Sequence, residues 1–81
     1  NEPLATDAER LHDNPFGMSH RELEIMDWVR KGKTNQEIGT ILDISAFTVK
    51  NHLQRIFKKL GVFNRTQAVT RYESNQINVR N

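Results

Sequence analysis

The chain has 81 residues, of which 36% are hydrophobic, 7% aromatic and 27% charged, with a formal charge of +2 and no cysteine. That length holds one small domain, and the lack of thiols excludes disulfides and thiolate metal centres as its staples. No run of about 18 apolar residues occurs, which leaves a membrane-spanning helix unsupported and makes the cytoplasm the expected compartment.

The first residue is Asn1 rather than Met, which suggests a piece of a longer protein. Residues 1–17 hold both prolines, Pro3 and Pro15, with mixed charges and no sustained apolar period. They are expected to be an interdomain linker with at most a short helical turn from Thr6 to Leu11. Ser19 and Glu22 then have the spacing of a capping box, in which a hydroxyl and a carboxylate satisfy the free backbone N–H groups at a helix start. A first helix is predicted from Ser19 to Lys31. It buries the stem of Glu22 together with Ile25, Met26 and Val29, and stops near Gly32, because glycine readily takes the left-handed conformation of helix ends.

Thr34 and Glu37 repeat the capping-box spacing, and Ile38, Ile41 and Leu42 recur at helical intervals, so a short second helix is predicted from Thr34 to Leu42. Asp43, Ile44 and Ser45 form a tight connection, with the Ser45 hydroxyl placed to cap a third helix from Ala46 to Leu60. There Val49, Leu53, Ile56, Phe57 and Leu60 make one apolar stripe, and Gly61 stands at the stop. Asn64 with Gln67 opens a fourth helix from Arg65 to Glu73, where Ala68, Val69 and Tyr72 are available for packing. The tail from 74 to 81 is polar. No strand pattern competes, so the expected fold is all-α, with four helices and disordered ends.

The charge is unevenly placed along this plan. Residues 1–43 carry nine acids and five bases, whereas residues 44–72 carry Lys50, Arg55, Lys58, Lys59, Arg65 and Arg71 and no acid. Opposite the apolar stripe of the third helix lie Phe47, Lys50, Asn51, Gln54, Arg55 and Lys58. Cations alone would serve solubility, but Asn and Gln among them pair with adenine edges, while Lys suits the two acceptors of guanine. A short helix, a three-residue turn and a longer helix with an outward polar row have the geometry of a helix-turn-helix, whose second helix enters the major groove of DNA. Lys50, Asn51 and Gln54, near the start of that helix, are the expected base-reading residues. Arg55, Lys58, Lys59 and Arg65 are the expected phosphate contacts.

Other features have plainer readings. His12, His20 and His52 lack metal-ligand spacing, so neither a metal nor a cofactor is expected. His52 points sideways on its helix, Trp28 is expected to be partly buried, and Gly39 is expected to permit close helix contact. Glu22 reads as structural because of its capping position. No nucleophile and base pair up, which leaves no support for an enzyme.

From Met18 to Arg71 the sequence also resembles the C-terminal effector domain of LuxR-type (GerE-like) bacterial transcription regulators. The pattern matches in order at Arg21, Glu22, Gly32, Asn35, Glu37, Ile38, Ile44, Ser45, Thr48, Val49, Lys50, His52, Ile56, Lys59, Leu60, Arg65 and Ala68. The segment Phe47–Phe57 is similar, besides, to regulators linked to exopolysaccharide genes in proteobacteria. The LuxR-type resemblance implies a tetrahelical helix-turn-helix that binds operator DNA as a dimer, with residues 18–73 as the domain. It implies that Thr48 touches the DNA backbone, and Thr34, Asn35 and Ser45 are further expected backbone contacts. Pairing is expected through the fourth helix, at Val69 and Tyr72, on a roughly palindromic double-stranded site, with RNA polymerase as a further partner. Gly39 departs from the pattern, in which Ala is usual, and Asn51 and Gln54 occupy positions whose identity varies. The alternative to DNA binding is a protein-interaction module whose basic face docks on an acidic partner. Paired amides speak against it, because a docking face has less use for them.

Overall fold

The computed structural model describes residues 16–80 and forms four helices, α1 (His20–Arg30), α2 (Asn35–Leu42), α3 (Ala46–Leu60) and α4 (Arg65–Arg80). No strand occurs among the described residues. Residues 1–15 and 81 lie outside them, and with them the expected turn at Thr6–Leu11, His12 and nearly all of the expected linker.

Each helix begins where a side chain satisfies a free backbone donor. Ser19 Oγ accepts from the Glu22 N–H at 3.1 Å, and Glu22 Oε1 accepts from the Ser19 N–H at 2.8 Å. Thr34 and Glu37 make the same reciprocal pair ahead of α2. Ser45 Oγ accepts from the Thr48 N–H at 3.0 Å at the start of α3. Ahead of α4, Asn64 Oδ1 accepts from the Gln67 N–H, but Gln67 reaches back one residue further than a capping box requires, to the Phe63 N–H. Caps of this kind each stabilise a helix by about 1 kcal/mol.

The stops differ from one another. Gly61 ends α3 at φ 71°. Asp43 ends α2 in the same left-handed region at φ 60°, where glycine is the usual occupant. The turn it makes is tight. Ile44 N–H donates to Gly39 O at 2.9 Å, and a Cβ on Gly39 would stand only 2.5 Å from Ile44 O. A side chain at Gly39 would therefore require the connection that aims α3 to shift. The fourth helix is longer than expected, running to Arg80 instead of Glu73. No glycine or proline interrupts residues 73–80, and an apolar stripe, the signal that marks helices in a sequence, is absent there.

Helix α3 lies at the centre and packs against the other three. Ile25 and Met26 of α1, Ile38 of α2, and Val49, Ile56 and Leu60 of α3 are the largest fully enclosed side chains. At roughly 1.5–3 kcal/mol for each large apolar side chain, the α3 stripe is the main constraint on how that helix is rotated. Helices α2 and α4 are joined through polar groups. The Arg65 guanidinium donates to Asn35 Oδ1 at 2.8 Å and to the Lys33 carbonyl.

Candidate nucleic-acid interface

Burial of Val49, Leu53, Ile56 and Leu60 fixes the rotation of α3 and so turns the opposite face to solvent. Lys50, Gln54, Arg55 and Lys58 are exposed on that face, and Asn51 is half-buried beside them. None of the five has a side-chain hydrogen bond or ion pair with another described residue. The face expected from helical spacing is thus brought together on one rigid element.

The start of α3 adds to its positive character. Helices α1 and α2 each carry an acid in the first turn, Glu22 and Glu37, whereas α3 carries none. Its first turn therefore sets no acidic side chain of its own against the positive end of the helix dipole. Ser45 Oγ and Thr48 Oγ1 lie 2.9 Å apart at this end, so the two hydroxyls form one exposed polar pair. Thr34 is also exposed, although its hydroxyl is engaged in capping α2.

Lys59 and Arg65 are placed otherwise than on an open phosphate-binding face. Lys59 Nζ donates to Glu22 Oε1 at 2.7 Å and to Gly17 O at 3.2 Å. The reason lies in Glu22, which is only 3% exposed and needs a cation to offset the loss of water. Burial pushes the Glu22 carboxyl up, but the Lys59 ammonium and the Ser19 backbone N–H together outweigh it and hold the group below its ordinary range. Arg65 and Asn35 are likewise bonded to each other. Tyr72 is 9% exposed and belongs to the core, one turn beyond buried Ala68, while Val69 next to Ala68 is half-buried.

His52 is half-buried on the flank of α3, and its shielded Nδ1 has no hydrogen-bond partner among the described residues. Trp28 is half-buried too, with Lys31 Nζ 4.9 Å from the centre of its ring. Among the described residues, no three His, Cys, Asp or Glu side chains are grouped as metal ligands, and no helix is long and apolar enough to cross a membrane.

Comparison with known proteins places the sequence among transcription regulators. The CsgBAC operon transcriptional regulatory protein of Escherichia coli (strain K12) is 53% identical over 53 residues, 65% of this chain and 24% of that protein. The transcriptional activator protein ExpR of Pectobacterium parmentieri is 49% identical over 61 residues, 75% of this chain and 24% of its own. The HTH-type quorum-sensing regulator RhlR of Pseudomonas aeruginosa is 46% identical over 65 residues, 78% of this chain and 27% of its own. The chain therefore spans about a quarter of the length of these relatives. The family described as bacterial regulatory proteins, luxR family, matches residues 17–72. The chain belongs to the luxR family of bacterial regulatory proteins.

Proposed function

We propose that this chain is the DNA-binding effector domain of a bacterial transcription regulator in the cytoplasm, and that it recognises a specific double-stranded operator with α3 in the major groove. The observation that carries the reading is the outward row of α3. A buried stripe holds the helix in one rotation, and Lys50, Asn51, Gln54, Arg55 and Lys58 are left without partners among the described residues. The names of the relatives, an operon regulator, an activator and a quorum-sensing regulator, support transcription regulation. No catalytic role is proposed, because donors dominate this face and no nucleophile is paired with a base among the described residues.

Lys50, Asn51 and Gln54 read base edges, since the first turns of a recognition helix reach deepest into the groove. Thr34, Ser45, Thr48, Arg55 and Lys58 hold phosphates. Asn35, Lys59 and Arg65 reach the backbone only by exchanging bonds they already make. Two copies meet on a roughly palindromic site through α4, with Val69 at the contact and Tyr72 supporting it from the core. Residues 1–17 join the domain to the remainder of the regulator, and RNA polymerase is the further partner.

Selection of bound duplexes from random DNA tests this reading. Enrichment of one sequence arranged as two related half-sites is the expected result, with affinity falling steeply as salt rises, because each phosphate contact releases counterions. Binding that enriches no sequence and ignores salt would contradict it.

A further inference from the structure

Phe47 is 68% exposed, and it is the second residue of α3. It precedes Lys50, Asn51 and Gln54 by three, four and seven residues, the intervals that share one face of a helix. Core stripe residues Val49, Leu53, Ile56 and Leu60 occupy the opposite side. A large apolar ring therefore stands within the polar row, at the end of the helix that leads into the groove. Phe47 is not among the core residues or the partly buried hydrophobics packed against them, whereas Ile38 and Val49 are fully buried.

We infer that Phe47 is a specificity-determining residue that packs on the 5-methyl group of a thymine in each half-site. The inference rests on the major-groove reading of α3 proposed above. The thymine methyl is the one apolar feature that a base pair presents in the major groove, and an aromatic or small apolar side chain is its natural contact. Lys50, Asn51 and Gln54 supply hydrogen bonds to other base edges, and none of them recognises a methyl group. Phe47 adds that missing chemistry on the same face. Its place two residues after the Ser45 cap sets it at the leading end of the helix, whereas Gln54 lies about two turns further on.

Deoxyuridine differs from thymidine only by that methyl group, which makes it the probe. Thymidines of a selected operator are replaced by deoxyuridine one at a time in one half-site, and binding of the 81-residue chain is measured for wild type, Phe47→Ala and Phe47→Leu. Wild type is expected to lose about fourfold in affinity at one thymine, equivalent to ~0.8 kcal/mol for one buried methyl. Phe47→Ala is expected to bind the thymine operator more weakly and to be indifferent to deoxyuridine there, while Phe47→Leu keeps part of the sensitivity. Wild type that prefers the selected over a scrambled operator, yet ignores every deoxyuridine, overturns the role of Phe47 alone. So does Phe47→Ala that remains as sensitive as wild type, or that loses affinity equally on all DNA. Wild type that binds selected and scrambled operators alike fails the base-reading proposal itself, and the role of Phe47 falls with it.

Discussion

Replacing Glu22 by Gln removes one charge from the junction of α1 and α3 while leaving the capping function in place, because Gln serves at that helix position as Glu does. What is lost is the charge of a 2.7 Å ion pair with Lys59. Severing a buried pair costs about 3–5 kcal/mol when the remaining charge is sealed off, and a charged hydrogen bond about 1.5–3 kcal/mol. The Lys59 side chain is 35% exposed and recovers some water, so Glu22→Gln is expected near the lower range, about 2 kcal/mol. Lys59→Met is the harsher change, since the Glu22 side chain is 4% exposed and loses its cation with no solvent to replace it; about 3–4 kcal/mol is expected. The double variant should cost less than the two singles together, because neither charge is then left alone. Urea titration gives the free energies, and the melting temperature should fall by about 4–8 °C for each kcal/mol in a domain of this size.

The pH dependence follows from the same pair. The Glu22 carboxyl is held below its ordinary value in the folded state. Its contribution is therefore complete above the unfolded carboxyl value, roughly pH 4–5, and is lost as the pH falls through the lower folded value. Glu22→Gln should flatten that part of the acid limb. Equal costs for Glu22→Gln and Lys59→Met, or a Glu22→Gln variant within about 0.5 kcal/mol of wild type, would refute the view that Lys59 neutralises a buried carboxylate.

Asp43→Gly should stabilise the fold by up to about 1 kcal/mol, because Asp43 holds a left-handed conformation at φ 60° that a side chain opposes; thermal melting checks it. Gly39→Val should destabilise by at least about 2 kcal/mol and disturb the aim of α3, since even a Cβ would meet Ile44 O at 2.5 Å; urea titration and operator binding read the two effects separately. Lys58→Ala should weaken binding to selected and random duplexes alike and reduce the log–log salt slope by about 1, measured by affinity at several salt concentrations.

Helix starts were legible in the sequence because a cap joins residues three apart, as Ser19 with Glu22 and Thr34 with Glu37. The two faces of α3 were legible for the same local reason, since its stripe repeats at helical intervals within one segment. Contacts that join distant segments were not. Lys59 and Arg65 read as phosphate-binding cations from their place in a basic run, but Lys59 meets Glu22 37 residues away and Arg65 meets Asn35 30 residues away. Whether a cation is spent inside the fold depends on which helix packs beside it, and periodicity carries no such information. Tyr72 is a similar case, for its spacing from Ala68 marks an apolar face without saying whether that face joins the core or a partner, and the fold buries it in the core. The left-handed Asp43 escaped because the tight α2–α3 connection could be recognised without its dihedral angles. The extension of α4 to Arg80 escaped because helix without an apolar stripe looks like polar tail.

The central claim is that the outward row of α3 specifies a DNA sequence. Its most direct measurement is the affinity of Gln54→Ala and Asn51→Ala for a selected and a scrambled operator at one salt concentration. If an amide pairs with an adenine edge, at least one variant loses about 1–3 kcal/mol on the selected operator and much less on the scrambled one. Equal losses on both duplexes for both variants would mean that these side chains hold the backbone and do not read bases.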